Sequence, residues 1–161
     1  MIFNNIEDFL KTIPQNKRLL ALDVGRKNIG VAISDKSWML STPKTTIIRN
    51  SNKTDIPQII NLYNENNACA LIIGVPLNNN EEDTDCSKYI KNFTNAILEQ
   101  KDVPVFFINE AYTSVESEEL LIDNIGLSFK KTKSIVDKMS ACFILNDFFS
   151  KVKQKFTSDN H

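Results

Sequence analysis

The chain has 161 residues with 19 Lys and Arg against 20 Asp and Glu, so it suits one globular domain with a core large enough to fold alone. Its apolar runs are far shorter than a membrane span, and Glu7 and Asp8 break the N-terminal apolar pattern a signal peptide needs, so a cytoplasmic, non-membrane protein is expected. The single histidine, His161, stands at the last position of a polar tail expected to fray; this argues against Ser-His-Asp and Cys-His chemistry and points hydrolysis to carboxylates and metal.

Ile2, Ile6, Phe9, Leu10 and Ile13 recur at helical spacing, which predicts a short helix over Met1–Ile13, ended near Pro14, within an N-terminal helical extension of residues 1–18. Leu19–Asp23 and Asn28–Ser34 read as two strands of a hairpin or meander, and Thr45–Ile48 as a third. Thr54 is the expected cap of a helix running to about Asn66. Ala70–Ile73 is a short buried strand closed by Gly74-Val75-Pro76, and the polar stretch Asn78–Asp85 a surface loop. A helix over Cys86–Gln100 precedes the apolar strand Val103–Ile108, which delivers Asn109 and Glu110 to its C-terminal end. Thr113 and Glu116 form a capping-box pair opening a helix that ends near Gly126. The last helix spans about Ser134–Val152, and 153–161 is a flexible polar tail. Three strands followed by helix-strand-helix-strand-helix predict an α/β domain over 19–152: a mixed sheet with helices on both faces.

Three acids stand apart. In LLALDVGRKNIGVAISD, Leu19–Asp35, an apolar run ends in Asp23 and restarts after a Gly-bounded turn; Glu110 follows another apolar strand; Asp137 lies on the last helix among Ile135, Val136, Met139, Ala141 and Ile144. Carboxylates gathered at sheet ends can hold divalent cations for phosphodiester hydrolysis. Each also has a plain reading: Asp23 opening a turn, Glu110 in a polar loop, Asp137 paired with Ser134 at a helix start. The cations are unevenly spread. Arg26 and Lys27 occupy the first turn, Lys130, Lys131, Lys133 and Lys138 cluster around Asp137, and Lys151, Lys153 and Lys155 follow. Cys69, Cys86 and Cys142 lack paired spacing and read as reduced thiols, with Cys69 and Cys142 in the core.

Together these residues resemble the YqgF family, Holliday junction resolvase-like nucleases of the ribonuclease H-like fold, over roughly Leu19–Phe149. The resemblance is carried by LDVGRKNIGVAISD, by PKTTIIR (Pro43–Arg49), by IIGVPL (Ile72–Leu77) and by VDKMSACFIL (Val136–Leu145), with FKKTK before that helix. It implies a ribonuclease H-like mixed sheet and an acidic triad of Asp23, Glu110 and Asp137 binding Mg²⁺ or Mn²⁺. Arg26, Lys27, Thr113, Lys130, Lys131 and Lys133 would contact nucleic acid. The implied work is maturation of the small-subunit ribosomal RNA precursor, with structured DNA as an older assignment and the ribosome as a candidate partner. The chain departs from the family where Asp-Glu-Arg is usual: it carries Asn109-Glu110-Ala111. That departure motivates the alternative of a nucleic-acid-binding assembly factor with weakened catalysis. An actin-like or sugar-kinase-like ATPase shares the Asp-x-Gly turn but needs a duplicated domain with a second phosphate loop, for which this chain is too short.

Overall fold

Apolar residues dominate β2 (Arg18–Val24) and β3 (Asn28–Ser34), which are buried over nearly their whole length, as central strands covered on both faces must be. The computed structural model of the chain describes residues 1–77, 84–110 and 129–159, with backbone alone at 129–134 and 158–159. Within these residues β1 (Ile2–Phe3), β2, β3, β4 (Ser41–Ile48), β5 (Ala68–Val75) and β6 (Val105–Asn109) form one six-stranded sheet in the order β1-β6-β5-β2-β3-β4. β2, β3 and β4 make an antiparallel meander, while β5 joins β2, β6 joins β5 and β1 joins β6 in parallel. The described helices are α1 (Ile6–Thr12), α2 (Asn52–Glu65), α3 (Asp85–Gln100) and α4 (Phe129–Asp159).

Strand alternation sends side chains to two separate cores. Leu20, Leu22, Val31 and Ile73 pack with Ile56 and Ile59 of α2 and Ile90, Phe93 and Ile97 of α3. Leu19, Ala21, Ala32, Ala70 and Ile72 pack with Phe9 of α1 and Ala141, Leu145 and Phe148 of α4. The result is the expected ribonuclease H-like mixed sheet with helices on both faces. Small residues line the middle of the second face, so α4 can lie close to the sheet.

Element ends differ from expectation for identifiable reasons. Met1–Ile13 divides, because Ile2 and Phe3 pair in register with Val105 and Phe106 before α1 begins; two residues are too few to show a strand periodicity. β4 starts before Pro43, which is tolerated because β4 is an edge strand. Ser51, not Thr54, caps α2; Thr54 is its third residue, and its Oγ1 accepts the Ser51 N–H at 3.3 Å. α4 starts before Ser134 and continues past Val152, where Lys155 pairs with Glu7 of α1. The Thr113–Gly126 helix and most of the Asn78–Asp85 loop lie outside the described residues.

The end of the signature run is a structural device. Ser34 Oγ accepts the Leu19 N–H at 2.7 Å and donates to the Asp35 carbonyl at 2.9 Å. Asp35 Oδ1 accepts the N–H groups of Met39 and Leu40, and its Oδ2 accepts the Ser37 hydroxyl, closing the turn into β4. Burial pulls the Asp35 carboxyl upward, but the Leu40 N–H, the Ser37 hydroxyl and the Met39 N–H outweigh it and hold it at about 2, below the usual 3.8. A depressed carboxylate stabilises the fold fully above its unfolded value and loses that contribution as pH falls through the folded one. Urea midpoints of wild type and Asp35→Ala should therefore differ at neutral pH and converge as pH falls from about 4 toward 2. A gap independent of pH would show that the charge does not hold this turn.

Candidate active site

Asp23 is the sixth residue of β2, where alternation from Leu19 and Ala21 aims it at the α4 face. Its register partner on β3 is Gly30. Between them the chain turns tightly: the Gly25 N–H donates to the Asn28 carbonyl at 2.9 Å, and a Cβ on Gly25 would stand 2.8 Å from that oxygen. The turn exposes Arg26 and Lys27. The Arg26 guanidinium lies over the Tyr89 ring of α3, 4.7 Å from its centre, which ties the turn to the next layer.

Glu110 follows β6, and its N–H donates to the Val75 carbonyl at 3.1 Å, so the β5–β6 ladder fixes its position. Asn109 Oδ1 accepts the Leu77 N–H at 3.3 Å beside it. Asp137 comes from α4 and is only 5% exposed. Two glycines decide how close α4 comes. A Cβ on Gly30 would lie 1.7 Å from the Asp137 carbonyl oxygen, so the helix backbone rests on β3 directly opposite Asp23. A Cβ on Gly74 would lie 2.7 Å from Ile144 Cδ1 and 3.3 Å from Glu110 Cγ, so the same helix is seated beside Glu110.

Asp23, Glu110 and Asp137 consequently line one cavity of about 450 Å³, together with Arg26 and Lys27. Among the described residues no three acidic, His or Cys groups are gathered so as to hold a metal ion together; the three carboxylates line the same cavity. Their donor chemistry fits a hard divalent cation, because Mg²⁺ and Mn²⁺ favour carboxylate oxygen and Mg²⁺ is commonly held by one or two carboxylates plus phosphate and water.

The cavity has members that the sequence reading did not single out. Ser140 is buried one turn after Asp137, on the same face of α4, and its Oγ has no hydrogen-bond partner among the described residues. The three-residue spacing was the available signal. Cys86, exposed in the first turn of α3, lines the cavity too. Cys69 and Cys142 are half-buried thiols against the α4 core rather than fully inside it, and burial raises both above the ordinary thiol value. Thr113 lies outside the described residues, and Lys130, Lys131 and Lys133 fall in the first turns of α4, where only backbone is described.

A family model described as RuvX, Holliday junction resolvase, matches residues 17–151. A protein of Wolbachia sp. subsp. Drosophila simulans (strain wRi), named "Putative pre-16S rRNA nuclease", is 37% identical over 153 residues, covering 94% of this chain and 97% of its own length. A protein of Thermoanaerobacter pseudethanolicus with the same name is 36% identical over 138 residues, covering 86% of this chain and 99% of its own. Among solved structures, RuvC of T. thermophilus in complex with a Holliday junction substrate aligns at a TM-score of 0.48 and 10% identity, over 84% of this chain and 96% of that one.

Proposed function

We propose, for a chain that belongs to the RuvX family of Holliday junction resolvases, that it is a divalent-metal-dependent nuclease acting in the cytoplasm on the small-subunit ribosomal RNA precursor. The supporting observation is the single cavity onto which β2, β6 and α4 bring Asp23, Glu110 and Asp137. These three would hold Mg²⁺ or Mn²⁺. The bound cation supplies positive charge for the phosphate and acidifies water at neutral pH. Asp23 and Glu110, fixed by paired strands, keep the donor set in place, and Asp137 closes it from the helix. Arg26 and Lys27 at the rim neutralise and orient the phosphate backbone without reading bases, and Thr113, Lys130, Lys131 and Lys133 extend that contact. The apolar wall made by Val24, Ile90 and Ile144 limits water around the charges and strengthens their pull on the phosphate.

The test is cleavage of a labelled precursor fragment, and of a four-way DNA junction in parallel, with Mn²⁺, Mg²⁺ or EDTA, by wild type and Asp23→Asn. Metal-dependent cutting of the RNA should appear with wild type and vanish in the variant, while the two proteins melt alike. Cutting that survives in Asp23→Asn overturns the site assignment. Preferential cutting of the junction overturns the substrate. RNA binding by a wild type that never cuts replaces the nuclease with an assembly factor.

A further inference from the structure

We propose that a groove at the other end of α4 is a docking site for single-stranded nucleic acid, an extension of the strand that the carboxylate cavity would cut; it rests on the nuclease reading. The groove, about 440 Å³, lies between the end of α1, the turn after β3 and the last turns of α4. Trp38, Met39 and Phe156 line it with Lys36 and Lys153, and no acidic residue is among its described lining. Met39 is 66% and Phe156 56% exposed, and Leu40, next to Met39 in the chain, is 69% exposed. Trp38 is held rigidly: its Nε1 donates to the Lys17 carbonyl at 2.7 Å and its ring stands edge-on to Phe148, with centroids 6.0 Å apart. An indole fixed before binding loses little freedom when a base stacks on it.

The combination selects the occupant. An apolar protein segment would match the floor but leave two lysines facing no counter-charge. A single strand offers a flat π face and a phosphate at every nucleotide, matching aromatic floor and cationic rim together. Reach is also adequate. Asp137 and Lys153 share α4 and are separated by about 24 Å at ~1.5 Å per residue, the span of about seven stacked nucleotides at ~3.4 Å each.

Trp38 is the only tryptophan in the chain, so its fluorescence reports on this groove alone. An oligouridine of ~16 nucleotides, labelled with fluorescein and titrated in EDTA so that it is not cut, gives overall binding from anisotropy and groove binding from Trp38. The expected result is saturable Trp38 quenching that tracks anisotropy. Phe156→Ala should weaken binding about tenfold, and Lys36→Glu with Lys153→Glu should lower the salt slope by about 1.4. Binding with a silent Trp38 and unaffected variants overturns the groove, leaves the nuclease reading standing and turns the surface over to a protein partner. No anisotropy change at all overturns the nucleic-acid reading itself, and the groove with it.

Discussion

Gly30→Ala should destabilise the protein and abolish cutting together, although the change adds one methyl group. The added Cβ would fall 1.7 Å from the carbonyl oxygen and 2.3 Å from the carbonyl carbon of Asp137. Both are helix backbone, which cannot rotate away as a side-chain end can, so α4 must lift off β3. Overpacking a well-filled core destabilises by about 1–3 kcal/mol, and displacement of a whole helix belongs at the upper end or beyond. Lifting α4 also carries Asp137 away from Asp23, the register partner of Gly30. Gly74→Ala is the control, because there the first obstacle is Ile144 Cδ1, the far end of a flexible side chain. Urea denaturation and cleavage assays on both variants should rank Gly30→Ala as the more damaged in each. A Gly30→Ala protein as stable as wild type would mean that α4 is not seated on this glycine.

That seat explains which parts of the candidate site could be read from the chain and which could not. Asp23 and Glu110 were legible because each ends an apolar run, and a strand's end is a local property of sequence. Asp137 was legible through its apolar helix and its family resemblance. What brings the three together is not local. Gly30 reads as one side of a turn, and only the crossing of α4 over β3 shows that its missing side chain makes room for the helix. Asp35 shows the reverse: a carboxylate in the same signature run whose hydrogen bonds all go to its own turn. A strand of two residues such as β1 carries no period to detect, and its place in the sheet comes from β6, about a hundred residues away. Ser140 and Cys86 escaped notice because neither residue type signals a site until the cavity is formed. The polar length of α4 past Val152 reads as a tail, whereas the helix continues there and Lys155 pairs with Glu7 of α1.

Asp55→Ala should remove about 3–5 kcal/mol of stability, because it leaves a guanidinium buried without its carboxylate. Arg49 Nη1 donates to Asp55 Oδ2 at 2.8 Å, and the two side chains are only 14% and 1% exposed. The same Oδ2 accepts the Asn50 N–H at 3.0 Å, Oδ1 accepts the Thr54 hydroxyl at 3.0 Å, and the Arg49 guanidinium lies 4.6 Å from the centre of the Phe93 ring. Removing Asp55 therefore orphans a charge and a backbone donor at the junction of β4 with α2. A loss of this size is a large share of the roughly 5–15 kcal/mol that holds most domains folded. Its effect reaches the cavity, since the Arg49 N–H donates to the Lys27 carbonyl at 2.8 Å and so braces the turn that carries Arg26. If the damage comes from the orphaned charge rather than from lost attraction, Asp55→Leu combined with Arg49→Met should recover most of the stability, since a buried pair exchanged for apolar groups of similar volume is often neutral. Chemical denaturation of both single variants and the double variant separates the two causes. A double variant as unstable as Asp55→Ala would show that the hydrogen bonds to Asn50 and Thr54, not the balance of charge, are what this junction requires.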